Sequence, residues 1–122
     1  MTPIEELIKI TQNMETVLEE DYGATGKGLH EKASSVESQL TPEVMKKIRF
    51  IATIRNKAVH DDLETAEREI ENVRTAAETV YQEFRKHNPR RRMNSGEPLL
   101  IKIIKAILKL LLSKGKNRVS SY

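Results

Sequence analysis

The sequence predicts an all-α protein: an up-and-down four-helix bundle, then a basic linker, then one further amphipathic helix. Three observations predict it. Apolar residues recur at steps of three and four along four successive stretches, the period of helices that each bury one face. Thr2-Pro3 and Thr41-Pro42 both place a capping hydroxyl before a proline whose fixed φ suits the first helical turn. Strand signals are absent, and with two Phe, three Tyr and no Trp the core must be built from aliphatic side chains.

The first helix begins with Thr2 as cap, Pro3 inside it and Glu5 three residues after the cap. Ile4, Leu7, Ile8, Thr11, Met14 and Leu18 form its stripe, carrying it to about Glu20. Glu5, Glu6, Lys9, Glu15, Glu19 and Glu20 make a charged face expected to be solvated. Three glycines within Asp21–Gly28 then stop the helix. This fragment lacks the Gly and the Ser or Thr that a phosphate-binding loop needs around its Gly-Lys pair, and it follows a helix rather than a strand, so it reads as a turn. Leu29, Ala33, Val36 and Leu40 mark a short second helix, with His30 beside the stripe as a surface or boundary residue.

The third helix opens at Thr41-Pro42 and carries Val44, Ile48, Ile51, Ala52, Ile54, Ala58 and Val59 on its apolar arc. Arg55 falls inside that arc. A guanidinium does not shed its charge, so it needs a carboxylate, a phosphate or a mouth open to solvent. Asn56 and His60 lie four apart and share a helix face, and Arg55 is close enough for the three side chains to converge. Asp61 and Asp62 read as the cap of the next helix, with Asp61 and Glu64 at capping-box spacing, which sets His60 at a helix C-terminus beside two carboxylates. Taken without a substrate, the same residues also fit a structural ion-pair network, with Arg55 on a buried carboxylate and His60 on Asp61 or Asp62.

The fourth helix is expected over Leu63 to Lys86, with Leu63, Ala66, Ile70, Val73, Ala77, Val80 and Phe84 as an unbroken seam for bundle packing or a dimer. The bundle is thus assigned to residues 1–86, a basic linker containing His87 to 87–98, and a cationic helix and tail to 99–122. Leu99 to Leu112 holds eleven apolar residues and three charges, Lys102, Lys105 and Lys109, all on one face. Fourteen helical residues reach about 21 Å, short of a ~30 Å hydrocarbon core. The segment therefore suits docking on a protein partner or lying on an anionic membrane surface.

Charge divides the chain sharply. Residues 1–84 hold 10 Lys and Arg against 17 Asp and Glu, whereas residues 85–122 hold 11 against 1. An acidic body with a basic tail implies that the tail docks on the body or meets a polyanion. With no aromatic interleaving, RNA binding by the tail itself would be sequence-blind and strongly salt-dependent. Cys is absent and the three His are scattered, which argues against disulfides, thiolate zinc sites and metal-dependent chemistry, so no cofactor is expected. Acids near the N-terminus disfavour an export signal, and the expected location is the cytoplasm, including the inner face of the membrane.

Arg55-Asn56-Lys57-Ala58-Val59-His60 resembles the signature of the HEPN superfamily, an Arg, a polar residue, a few variable positions and a His near a helix end. Gly28-Leu29-His30-Glu31-Lys32, Leu40-Thr41-Pro42-Glu43 and Ile54 to His60 look like a bacterial HEPN branch of unknown function. The resemblance covers roughly residues 4–86. It implies a small helical bundle acting as a homodimer, in many members a metal-independent endoribonuclease with a composite site, and a role as toxin or defence effector. It also implies a second reading, since some members are nucleic-acid-binding or scaffolding modules; here that would be a helical adaptor whose last helix docks on a partner or membrane. Carried over, Arg55, Asn56 and His60 are the catalytic set. Lys57, Arg90, Arg91 and Arg92 would neutralise single-stranded RNA against an otherwise acidic body.

Overall fold

Helix α1 (Pro3–Tyr22) starts where Thr2 leaves extended backbone: its hydroxyl accepts the Glu5 N–H at 3.2 Å and donates to the Glu5 carboxylate at 3.0 Å. That reciprocal pair is the expected capping box. Our computed structural model describes residues 1–60 and 62–91, together with Ile104, Ile107, Leu108 and Leu110. Among these residues every regular element is helical: α1, α2 (Gly28–Ser35), a single 3-10 turn (Glu37–Gln39), α3 (Pro42–His60) and α4 (Glu64–His87). The chain divides into two units, Met1–Arg92 and Met93–Tyr122. No helix among the described residues is long and apolar enough to cross a membrane.

In the first unit α1 lies against α2, α3 and α4, and α3 lies against α2 and α4. Three neighbours give α1 a wide buried arc. Leu7, Ile10, Met14, Val17 and Leu18 fill it, and Asn13 is buried with them. Ile4 and Ile8, expected in the core, are only half-buried, because Ile8 falls at the margin of this arc and Ile4 in the first turn. Gly23, at φ 74°, ends the helix, its N–H reaching the Glu19 carbonyl and that of Ala24 the Leu18 carbonyl. The left-handed conformation is the reason for glycine there. Gly26, at φ 114°, serves the same turn, and a Cβ on it would lie 2.7 Å from that of Glu31.

The charged face of α1 is not simply wet. Glu6 takes a forked pair of hydrogen bonds from Arg74 of α4, both at 2.7 Å, and this partner holds the guanidinium pKa above its ordinary value. Lys32 of α2, nearly buried, reaches Glu19 at 3.0 Å and Glu15 at 3.9 Å and donates to the Gly26 carbonyl. Three glutamates expected in solvent thus tie α1 to its neighbours, an arrangement that burial of the lysine stem makes stronger than a loose surface pair.

Helix α3 starts as expected, with the Thr41 hydroxyl accepting the Val44 N–H at 3.2 Å. Asp62 caps α4: Oδ1 accepts the Glu64 N–H at 2.9 Å and Oδ2 the Thr65 hydroxyl at 3.1 Å. The expected pairing of Asp61 with Glu64 lies outside the described residues. Along α4, Ala66, Ile70, Val73, Ala77, Val80 and Phe84 are buried as the seam requires. Leu63 is not; it precedes the helix and stands 66% exposed.

Helix α4 also runs one residue past the expected boundary, because His87 has somewhere to bind. Its ring stacks on Tyr22 with centroids 3.8 Å apart, and its Nε2 lies 2.9 Å from the Asp21 carbonyl oxygen. Arg91, expected to meet RNA, is instead held by the Asp21 carboxylate at 2.6 Å and by Glu20, leaving its side chain 16% exposed. His87 and Arg91 therefore belong to the first unit. Arg90 is exposed; Arg92, Lys102, Lys105 and Lys109 lie outside the described residues. In the second unit Ile104, Ile107, Leu108 and Leu110 are helical and exposed.

Tyr81 is fully buried beside Asn13, yet its hydroxyl lacks a well-formed hydrogen bond. Burial pushes its pKa up to about 12, and burial followed by the nearby Glu83 and Asp21 carboxylates pushes Tyr22 up to about 12. A phenol whose folded pKa lies above its unfolded value near 10 adds stability that is fully present below about pH 10 and is lost as pH rises toward 12. Urea unfolding midpoints should hold up to about pH 10 and fall steeply above it. Tyr81→Phe should flatten that fall while leaving neutral-pH stability unchanged or raised by up to about 1 kcal/mol, because a buried donor without a good partner is removed. A loss of more than about 2 kcal/mol would show that the hydroxyl is well bonded.

Candidate functional site at the open end of helix α3

Ile48, Ala52, Arg55 and Val59 are spaced four, three and four residues apart and share one face of α3. Their exposure rises along the helix, from 0% at Ile48 and 3% at Ala52 to 41% at Val59, with Arg55 intermediate. The neighbours that bury the first half of this face thus stop covering it at the C-terminal end. Arg55 keeps its charge inside an apolar arc because the arc opens there.

What it opens into is a cavity of about 420 Å³ walled by α1, the start of α2 and α3. Ala52, Arg55 and Asn56 line one side, and Lys27, Gly28, Leu29, His30 and Glu31 another, with Thr11 and Glu15 from α1. Arg55 Nη1 donates to Asn56 Oδ1 at 3.3 Å. Among the described residues Arg55 has no carboxylate within ion-pair distance. Its planar fork is therefore open to an outside acceptor such as a phosphate.

Arg55 and Asn56 are thus brought together at the cavity, and His60, one helical turn beyond Asn56, does not line it. His60 is the last residue of α3, exposed, does not line the cavity and makes no hydrogen bond to a described residue. Asp62, one of the two carboxylates expected beside it, is committed to the start of α4. Lys57 is exposed on the same helical turn as Asn56. Val59 and Leu63, both exposed and apolar, flank His60 in sequence.

His30, read from the sequence as a surface or boundary residue, is half-buried and lies at the edge of this site. It sits in the first turn of α2 and faces α3, its Nε2 lying 3.4 Å from Thr53 Oγ1. It lines the same cavity as Arg55 and Asn56. In sequence His30 follows a glycine turn and adjoins the Leu29–Ala33 stripe, but which neighbour that edge meets depends on the path of the turn. No family model, no curated protein and no solved structure matches the chain.

Proposed function

We propose that this chain is a HEPN-type RNA-binding protein that cleaves single-stranded RNA without a metal, working in the cytoplasm as a homodimer and serving as a toxin or defence effector. In this reading the first unit is an up-and-down four-helix bundle and residues 99–122 carry a cationic amphipathic helix. The observation that carries it is Arg55, set in an apolar arc, bonded to Asn56 and open to an outside acceptor. The alternative of a structural network, with Arg55 on a buried carboxylate, finds no such carboxylate among the described residues.

The chemistry needs only what RNA and these residues supply. A base removes the proton of a 2′-OH, whose oxygen attacks the adjacent phosphorus. The bond from phosphorus to the 5′-oxygen breaks, and an acid protonates that oxygen, leaving a 2′,3′-cyclic phosphate and a 5′-OH end. Arg55 holds the phosphate oxygens as charge grows on them, Asn56 orients the guanidinium, and His60 carries a proton. A two-fold dimer brings a second His60, giving one imidazole for each proton transfer. Exposed Val59 and Leu63 beside His60 suit the covered face of such a dimer.

The test is cleavage of a labelled RNA oligonucleotide in excess chelator, beside the DNA oligonucleotide of the same sequence. The RNA should yield 2′,3′-cyclic phosphate ends and the DNA should remain intact. Cleavage of both, or products with 5′-phosphate ends, would rule out attack by the 2′-OH.

A second reading has its own observation, the exposed helical Ile104, Ile107, Leu108 and Leu110. An adaptor that docks this surface on a partner or an anionic membrane would be indifferent to His60→Ala. It would lose assembly or localisation on charge reversal at Lys102, Lys105 and Lys109.

A further inference from the structure

The first two turns of α3 line a second concave surface, which shares no residue with the cavity at Arg55. Pro42, Met45, Lys46 and Arg49 follow one another at helical spacing and make one stripe along α3. Leu40, in extended backbone after the 3-10 turn, and Glu37 of that turn complete a groove of about 400 Å³. Leu40 and Met45 are buried and give it an apolar floor, whereas Pro42, Lys46 and Arg49 are exposed and form the rim. The charge of this rim runs against that of the body. Residues 1–84 hold 10 Lys and Arg against 17 Asp and Glu, yet α3 carries Lys46, Lys47, Arg49, Arg55 and Lys57 against Glu43 alone. The local pairs do little to cancel it: Lys47 lies 3.9 Å from Glu43 and Arg49 3.8 Å from Glu37, both loose contacts in solvent. Among the described residues Lys46 has no carboxylate within ion-pair distance.

We infer that this groove docks an acidic amphipathic segment of a partner protein, with an apolar side chain seated on Leu40 and Met45 and flanking Asp or Glu carboxylates on Lys46 and Arg49. An apolar floor between two cations suits a peptide, and the thioether of Met45 adapts to the shape of what enters. The residues that line the groove include no aromatic ring on which a nucleic-acid base would stack. Charge excludes the chain's own tail, since residues 85–122 hold 11 Lys and Arg against 1 acid and would be repelled by the rim. Helix α1 of a second copy is a poor complement, because its acids are committed within the fold: Glu6 to Arg74, Glu19 to Lys32, and Glu20 and Asp21 to Arg91. The inference stands apart from the ribonuclease reading, whose residues lie at the other end of α3.

The probe is a library of random dodecapeptides displayed on phage and selected on the full chain, the enriched peptides then being synthesised and titrated by calorimetry. They should carry Asp or Glu around an apolar residue. Lys46→Glu and Arg49→Glu should each weaken their binding by about tenfold or more, and replacing the peptide's apolar residue by Ala should do the same. Lys9→Glu, an equal charge reversal at an exposed position on α1, should bind as wild type does. Both rim side chains are exposed, so their variants keep the fold, and circular dichroism checks this. No enrichment, enrichment of peptides without acids, or binding that survives both reversals would overturn the inference. So would an oligomer that dissociates in Lys46→Glu by light scattering, which would assign the groove to a second copy. Loss of RNA binding in Lys46→Glu with no acidic peptide enriched would assign it to nucleic acid, and would overturn the inference equally.

Discussion

His60→Ala should lower RNA cleavage by about two to four orders of magnitude, the usual contribution of a positioned acid or base. The fold should be untouched. His60 is exposed, ends its helix and bonds to no described residue, so its removal changes unfolding free energy by about 0.5 kcal/mol or less. A merely structural histidine would give the opposite pair of results, a loss of stability with activity per folded molecule unchanged. Measured rates on one RNA, normalised to the folded fraction from urea titrations, separate the two. With two His60 side chains in one cleft of the proposed dimer, a mixture of wild-type and His60→Ala chains should lose activity faster than the fraction of variant added.

Phe84→Ala should have the largest effect on stability, a loss of about 3–5 kcal/mol. Phe84 is fully buried near the end of the α4 seam, with its ring 5.7 Å from that of Tyr22 on α1 and 6.2 Å from that of Tyr81. Removing it opens a cavity and strips one side from Tyr22, whose ring also holds the stacked His87. A domain of this size is stabilised by about 5–15 kcal/mol, so the variant retains only part of its margin. Urea unfolding followed by circular dichroism checks this, and a change below about 1 kcal/mol would mean that the site collapses without strain.

These expectations lean on different parts of the chain because the sequence was legible to different depths. Helix starts were readable wherever the cap is local: Thr2 with Glu5, and Thr41 with Val44, are decided within one turn. The α4 seam was readable because one continuous stripe faces the core. What could not be read depends on distant partners. The Glu6–Arg74 fork joins residues 68 apart, and Arg91 reaches Asp21 across 70. Neither carries a local mark, so from the sequence Glu6 reads as solvated and Arg91 as free. Ile10 and Val17 are buried outside the predicted stripe for a related reason, since a helix with three neighbours buries more than one narrow stripe.

The candidate site divides in the same way. Arg55 stood out from its own helix, as a charge where the period demands an apolar residue. Its openness to solvent was not deducible from α3, because it depends on where α1 and α2 cease to cover that face. Nor could the period of α3 show that His60 would not line the cavity or that His30 would. That placement is set by the Gly23–Gly28 turn, which carries α2 across to meet α3.

The central claim, metal-independent cleavage at the α3 end, is met most directly by one assay. Wild type, Arg55→Ala and His60→Ala, each shown to be folded, are incubated with the same labelled single-stranded RNA in excess chelator. The account predicts cleavage by wild type with 2′,3′-cyclic phosphate ends, and losses of about a hundredfold or more in both variants. Equal cleavage by all three, or none by wild type across several RNAs, would contradict it.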